Sequence, residues 1–541
     1  MAFTTHSERL AGMLLGTRQE LVALLGEIPK RESHDDPAVH VAVLSVRPAV
    51  FCQVTHRSQL VQTFVCSTQA ASLLQPHQDV LLAPLNRCAT DTSQLPSIRV
   101  HAYACLGAVL TAASTSLPPT GSVDVCAATA WLLATVREQP EPSVRSQAWR
   151  ALAVLLPVDP AVQNARRKDV LVSVKETLAT ERSTPGDEAV RYEAMSAVPA
   201  VLSRDAHEPA DAPEELVAVL ELAAADTAAS VRARLCEALP AAFVWNADRA
   251  YFAALDALLG DADANVRGAA ARSIGVLMEV AQVQPEARVS VQAHFTYDAV
   301  AAALLGEQRT GLFTSHALAS DASHPVRVRA AWSLANWAAL EKLQLETWKQ
   351  LLAHVLRLSG DDERVAVHGI RALGTLLSEM HAAWLADDAA AAQLAAGVAA
   401  LHTVLRQARN PKLRWNAASS VSKVAEQAPT WLAHGRGQAL QQTLDEVVQA
   451  LVLALGDRVF KVKLLAAQGL LALLGETQSS AARLPITPAT LAHLHEAVAA
   501  ADARIDSELA DATFAEAKLH GHASRELMAK LHKALYLYPS T

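Results

Sequence analysis

The sequence predicts an all-α protein: an α-solenoid, or superhelix, built from pairs of helices stacked side by side. Three observations carry this. An apolar residue, in most cases followed by a base and then by apolar residues four and eight positions on, recurs nine times, starting at Ile98, Val144, Val190, Val231, Val266, Val326, Val365, Leu413 and Val462. The intervals of 46, 46, 41, 35, 60, 39, 48 and 49 residues are those of a stacked helical unit. Apolar residues make up 51% of the 541 and aromatics only 4%, with much of the apolar share being Ala. Ala has the best helix propensity and lets helices approach closely. Strand-type alternation is hard to find.

Residues 1–95 hold helical text without a clear unit, since Val46-Arg47 starts like one but Pro48 breaks it. They are expected to be degenerate repeats capping the N-terminal end. Ile98, Ala102 and Leu106 form the first clear stripe, closed by Gly107, and Leu117-Pro118-Pro119-Thr120-Gly121 reads as a loop. Val144, Ala148 and Leu152 follow, then Val190, Ala194 and Val198, then a helix over Pro213–Ala223 before Val231, Leu235 and Leu239. The unit is clearest at 250–280. Phe252, Leu255, Leu258 and Leu259 make one face of helix A, Gly260 suits its stop, and Asp263 or Asn265 suits the next N-cap. Val266, Ala270 and Ile274 then form the stripe of helix B.

The longest interval contains an insertion near 281–296, with Pro285 and little periodicity, expected as a loop on one face. Beyond it stand Val326, Ala330 and Leu334, then Val365, Gly369 and Leu373. An Ala-rich helix A over Asp387–Ala400 precedes Leu413, Ala417 and Val421. Val447–Leu455 with the turn Gly456-Asp457 leads to Val462, Ala466 and Leu470. The predicted organisation is an N-terminal cap (1–95), about nine repeats (96–475) and a helical C-terminal cap (476–541). At ~8–10 Å per helix layer the nine units predict a body on the order of 80–90 Å long.

The position after the first apolar residue is basic in eight of nine units: Arg99, Arg145, Arg191, Arg232, Arg267, Arg327, Arg414 and Lys463, with Ala366 the exception. Acids precede most units by three to five positions: Glu141, Asp187, Asp226, Asp261, Asp263, Asp321, Asp361, Asp362 and Asp457. One acid per turn and one base per helix start predict a ladder tying each turn to its neighbour. The acids also suit the positive end of helix B. Because acids track bases, the arginine row reads as structural rather than as a grip for phosphate or acidic peptide.

The turn Asp with the helix-B Arg resembles HEAT repeats, over roughly residues 95–475. Within that class, Pro96-Ser97-Ile98-Arg99-Val100-His101-Ala102-Tyr103-Ala104-Cys105-Leu106-Gly107-Ala108, Lys412-Leu413-Arg414-Trp415-Asn416-Ala417 and Phe460-Lys461-Val462-Lys463 resemble the HEAT repeat-containing protein 6 family. Members of that family are generally longer and have no well-defined biochemical role. The resemblance implies a HEAT scaffold.

The formal charge of −8, from 47 Lys+Arg against 55 Asp+Glu, is not the balance of a nucleic-acid binder. The best basic run, Arg166-Arg167-Lys168, reads as a solvated turn. Six cysteines, Cys52, Cys66, Cys88, Cys105, Cys126 and Cys236, form no C-x-x-C and look like small core residues rather than a disulfide framework. Met1 to Leu25 contains Glu8, Arg9, Arg18 and Glu20 and lacks a secretory h-region. No uncharged apolar run reaches the ~18 residues of a spanning helix. A cytoplasmic or nuclear protein without a membrane partner is expected.

Walker, G-x-S-x-G, H-E-x-x-H and EF-hand text is absent. His207-Glu208 and His495-Glu496 are too few for the symmetric His-Glu sets of HEAT-fold metalloenzymes. His493 with His495, and His520 with His522, read as surface polar residues. No enzyme, metal or cofactor is expected. Trp332 and Asn336 share one helix face. Similar pairs repeat along the groove of armadillo-type import adaptors, where Asn holds a peptide backbone and Trp packs against basic side chains. Here Ser419 and Arg150 replace the Trp, and Lys423 and Val154 the Asn, so the array is missing. Trp332, Asn336, Trp415 and Asn416 are the candidate partner contacts, weighed against packing between repeats. The expected role is a non-enzymatic protein–protein interaction scaffold, its partner lying along the concave face of helix B. The alternative is a transport-receptor-like (karyopherin-type) carrier.

Overall fold

The computed structural model describes residues 86, 89–113, 124–180, 185–202, 213–243, 245, 248–307, 313–340, 342–434, 438–474, 486–511 and 515–538. Twenty α-helices and no strand lie among them. Nearly all of the expected N-terminal cap, the loop 117–121 and His207-Glu208 lie outside the described residues. The chain divides into two compact units, 1–167 and 168–541.

In the first unit, α1 (Pro96–Ala113), α2 (Val125–Glu138) and α3 (Pro142–Leu155) form one bundle, with α3 packed on both others. Gly107 does not stop α1, which runs on to Ala113. Its role is close approach, because a Cβ there would lie 3.1 Å from the Leu155 nitrogen. Arg166-Arg167-Lys168 lie inside α4 (Pro160–Thr180), not in a turn. Asp159 accepts from the Ala161 and Val162 N–H groups and Pro160 occupies the first position, where a missing N–H costs nothing.

The second unit holds α5 (Pro185–Leu202), α6 (Glu214–Ala224), α7 (Ala229–Phe243), α8 (Asp248–Leu259), α9 (Ala264–Val283), α10 (Pro285–His294), α11 (Tyr297–Val300) and α12 (His324–Ala338). It continues with α13 (Leu345–Ser359), α14 (Glu363–Ser378), α15 (Asp388–Gln407), α16 (Pro411–His434), α17 (Gln438–Leu455), α18 (Phe460–Leu474), α19 (Pro488–Asp511) and α20 (Ala515–Tyr536). These sort into two layers. Helices α5, α7, α9, α12, α14, α16, α18 and α20 follow one another as the B layer. The A layer packs α6 on α8, and then α13, α15, α17 and α19 in succession. This is an array of HEAT/armadillo-type helix pairs, with α19 and α20 adding a pair that lacks the Val-Arg text.

The stripes read from the sequence form the interlayer core. Val266, Ala270 and Ile274 are all fully buried, as are Val462 and Ala466; each Val or Ile so buried stabilises by ~1.5–3 kcal/mol. Asp263 is the N-cap of α9, accepting from Asn265 and Val266. Four indole N–H groups bolt helix ends together: Trp245 donates to Leu202 O, Trp337 to Phe295 O, Trp348 to Leu376 O and Trp431 to Met380 O.

The insertion near 281–296 is helical rather than a loop. Helix α9 continues to Val283, and α10 begins with Pro285 at a first-turn position that tolerates proline. Arg288 and Gln292 of α10 both donate to the Leu340 carbonyl. Helix α15 is long and apolar enough to cross a membrane by composition. Its Ala390, Leu394, Val398, Leu401 and Leu405 are instead buried as one stripe in the A layer. Cys236 is buried, its thiol pushed up by desolvation, whereas Cys126 is exposed and so is no core residue.

Candidate protein-binding face

One edge of the second unit is the predicted ladder. In four of the five arginine rungs the guanidinium is split between two turns. Arg232 Nε and Nη2 reach Asp261 of the next turn at 2.6 and 2.9 Å, while Nη1 reaches the Asp226 and Thr227 carbonyls of its own turn at 2.7 and 3.1 Å. Arg267 grips Asp321 at 2.8 and 3.0 Å, and Arg327 grips Asp361 at the same two distances. Arg191 meets Asp226 at 2.7 and 3.0 Å and Arg414 meets Asp457 at 2.5 and 3.3 Å. The same carboxylates accept a backbone N–H of their own turn: Ala228 to Asp226, Asp263 to Asp261, Ser323 to Asp321 and Val459 to Asp457. So the acid five residues before the stripe makes the rung in four cases, Asp361, four before Val365, makes it in the fifth, and Asp263 caps the helix. Lys463 ends the series as a fully buried ammonium 2.9 Å from Glu508 of α19.

Burial pushes the Asp261 and Asp321 carboxyls up, but the forks of Arg232 and Arg267, the backbone N–H groups of Asp263 and Ser323 and the neighbouring arginine charges together bring them below the usual range. Arg327 holds Asp361 low. One rung is missing in both halves. Ala366 stands where the base would be, and Ala408 where the next turn's Asp would be. At that joint Asn416 Nδ2 donates to Val367 O at 2.7 Å and Ser420 Oγ to Ile370 O at 3.0 Å.

A second row of cations lies on the B helices away from the ladder. Arg272 of α9 is exposed. Arg329 of α12 is half-buried and lies across Gly268, where a Cβ would sit 2.9 Å from its Nη1. Arg371 of α14 is half-buried and donates to Asn336 Oδ1. Among the described residues no carboxylate lies within ion-pair distance of these three. Burial lowers the Arg329 pKa, and Arg272 lowers it further; burial also lowers that of Arg371, against Glu279. Both groups still keep their charge. Beside Arg371, burial and then the charges of Lys412 and Arg371 hold the His368 imidazole at about 4.

The four candidate contacts fall on or beside this face, but not alike. Trp332 is half-buried with its ring laid over Gly275, where a Cβ would overlap both the ring and Ser333 Oγ. Asn336 is fully buried, and its amide is consumed internally: Nδ2 donates to Gly275 O at 3.1 Å, and Oδ1 accepts from Arg371. Trp415 is half-buried with the Lys461 ammonium 3.4 Å from its ring centroid. Asn416 is spent on the Val367 carbonyl. Arg272, Arg329, Arg371 and His368 escaped the sequence reading, which scored only the base directly after each stripe start. Positions three and six residues into the stripe carry the signal.

His495, Glu496 and His522 are exposed, and no metal-holding group of three or more His, Cys, Asp or Glu occurs among the described residues. The fold and this face define the class: a helical-repeat protein of HEAT/armadillo type. No protein-family model and no curated protein matches the chain. Among solved structures it is similar to an engineered protein at 18% identity and a TM-score of 0.41, covering 83% of this chain and 99% of that one. A designed armadillo repeat protein shares 18% identity at a TM-score of 0.32, covering 51% and 98%. Yeast importin-beta (Kap95p) shares 12% identity at a TM-score of 0.48, covering 89% and 67%. Kap95p itself is seen with RanGDP and with Nup1.

Proposed function

We propose that the chain is a non-enzymatic cytoplasmic or nuclear scaffold that binds another protein along its B-helix face, the concave one in the solenoid reading. The observation that carries this is the uncompensated row Arg272, Arg329 and Arg371 on three successive B helices beside Trp332. Each arginine of a ladder rung has a carboxylate; Arg329 and Arg371 reach only the Asn265 carbonyl and Asn336 Oδ1, and no carboxylate pairs with them or with Arg272 among the described residues. In this reading Trp332 and the rim of Trp415 touch the partner, while Asn336 and Asn416 hold the helices that present them. The likeness of 96–108, 412–417 and 460–463 to the HEAT repeat-containing protein 6 family supports the same scaffold role.

A photoreactive phenylalanine at position 272 tests it, with position 249 of α8 as reference, since Arg249 is exposed on the A layer. In the cell of origin, position 272 is expected to give a discrete protein adduct and position 249 none. The same adduct pattern from both positions, or none from 272, counts against the proposal.

A further inference from the structure

We infer that the occupant of this face is an extended acidic segment of the partner, its carboxylates taken by Arg272, Arg329 and Arg371 and an apolar side chain set against Trp332. This rests on the scaffold reading above and names the chemistry of its partner. Three features argue for it. A guanidinium presents a planar fork that matches a carboxylate bidentately, as the five Arg–Asp rungs of this same molecule show. The three face arginines have no such carboxylate among the described residues, and Arg329 and Arg371 are already partly stripped of water, so an incoming carboxylate meets less screening.

Geometry suits an extended chain. Three neighbouring B helices ~8–10 Å apart cover about 16–20 Å, which about six extended residues span at ~3.3 Å each, with alternate side chains facing the helices. Trp332 lies on the middle helix of the three, α12, half-buried over Gly275 and fixed there by the close approach of α9. A duplex nucleic acid fits less well. It carries one charge per ~1.7 Å and rewards a dense, exposed basic array. This face offers single guanidiniums on separate helices, flanked by Glu237 and Glu279, in a chain of net charge −8.

The test uses the full chain and a fluorescein-labelled peptide of about ten residues with Glu at alternate positions, read by anisotropy, against its Lys-for-Glu counterpart and a labelled DNA duplex. The Glu peptide is expected to bind, the Lys peptide not. Arg329→Glu and Arg272→Glu are each expected to weaken binding by roughly tenfold or more, the loss of one charge-assisted contact, and Arg272→Gln by less. Arg249→Glu, exposed on α8, is expected to leave binding unchanged. Circular dichroism and melting of each variant separate lost binding from lost fold; Arg272 is exposed, so its variants carry the test if Arg329→Glu unfolds. Equal binding of the Lys peptide, an equal loss with Arg249→Glu, or tighter binding of the duplex overturns the inference. Partner adducts at position 272 without Glu-peptide binding would remove this inference and leave the scaffold reading standing.

Discussion

Arg327 and Arg329 are two residues apart on α12 and meet opposite fates. Arg327 is gripped by Asp361 and by two carbonyls of its own turn, and that grip raises its pKa. Arg329 lies across a glycine of the neighbouring helix with another arginine near it, and burial lowers its pKa. The same contrast runs along the array: an edge of matched charges and a face of unmatched ones. A repeat protein must hold its units in register, and the edge does this. What the packing leaves unmatched is where a partner is to be sought.

The contrast breaks most sharply at Asp226, whose side chain is 1% exposed against Arg191 at 4%. Asp226→Asn is expected to cost ~3–5 kcal/mol in urea denaturation, because it leaves a buried guanidinium without its counter-charge, whereas Arg272→Gln is expected within about 0.5 kcal/mol of the parent. Similar losses for both would erase the distinction.

Acid titration separates the two regions in pH. His368 is neutral in the fold with a pKa of about 4, against an ordinary value of 6.5 in the unfolded chain. The unfolded chain therefore takes up the proton first, and stability declines as pH falls from about 6.5 towards 4, by at most about 3 kcal/mol. His368→Gln is expected to flatten that part of the urea-midpoint profile. The ladder aspartates act lower. Asp261, Asp321 and Asp361 lie below their ordinary value of 3.8, so their contribution is present above it and lost as pH falls through their depressed folded values. A single acid transition unchanged in His368→Gln would contradict this separation.

Two smaller effects sharpen the picture. Gly275→Ala is expected to cost ~1–3 kcal/mol by thermal or urea unfolding, since the added methyl overlaps Trp332 and Ser333. Installing the missing rung with Ala366→Arg and Ala408→Asp is expected to show a favourable coupling of about 1 kcal/mol in a double-mutant cycle. Zero coupling there would mean that the rung geometry does not carry over to this joint.

The helix pairs were legible because a buried stripe repeats at fixed spacing, and the ladder because acid and base recur together. Gly107 and Pro285 misled for one reason. Both were read as local punctuation, whereas Gly107 answers to Leu155 on another helix and Pro285 begins a helix instead of ending one. Asp261 and Asp263 look equivalent in the text and divide their labour only once the next turn is in place. The sequence leaves Asn336 open to both a partner contact and packing between repeats, and the groups its amide meets, Gly275 and Arg371, lie 61 and 35 residues away in the chain. No local pattern reports such distances.

The absent rung between Ala366 and Ala408 has a mechanical consequence. At five joints of the second unit a charged fork reaches the next turn; here the seam relies on Asn416 and Ser420 reaching helix carbonyls further along. Stretch or flexing of the second unit is therefore expected to part this seam first, with amides of 408–412 exchanging deuterium sooner than those of 261–265. Protection at both turns to the same degree would show a spring of uniform stiffness.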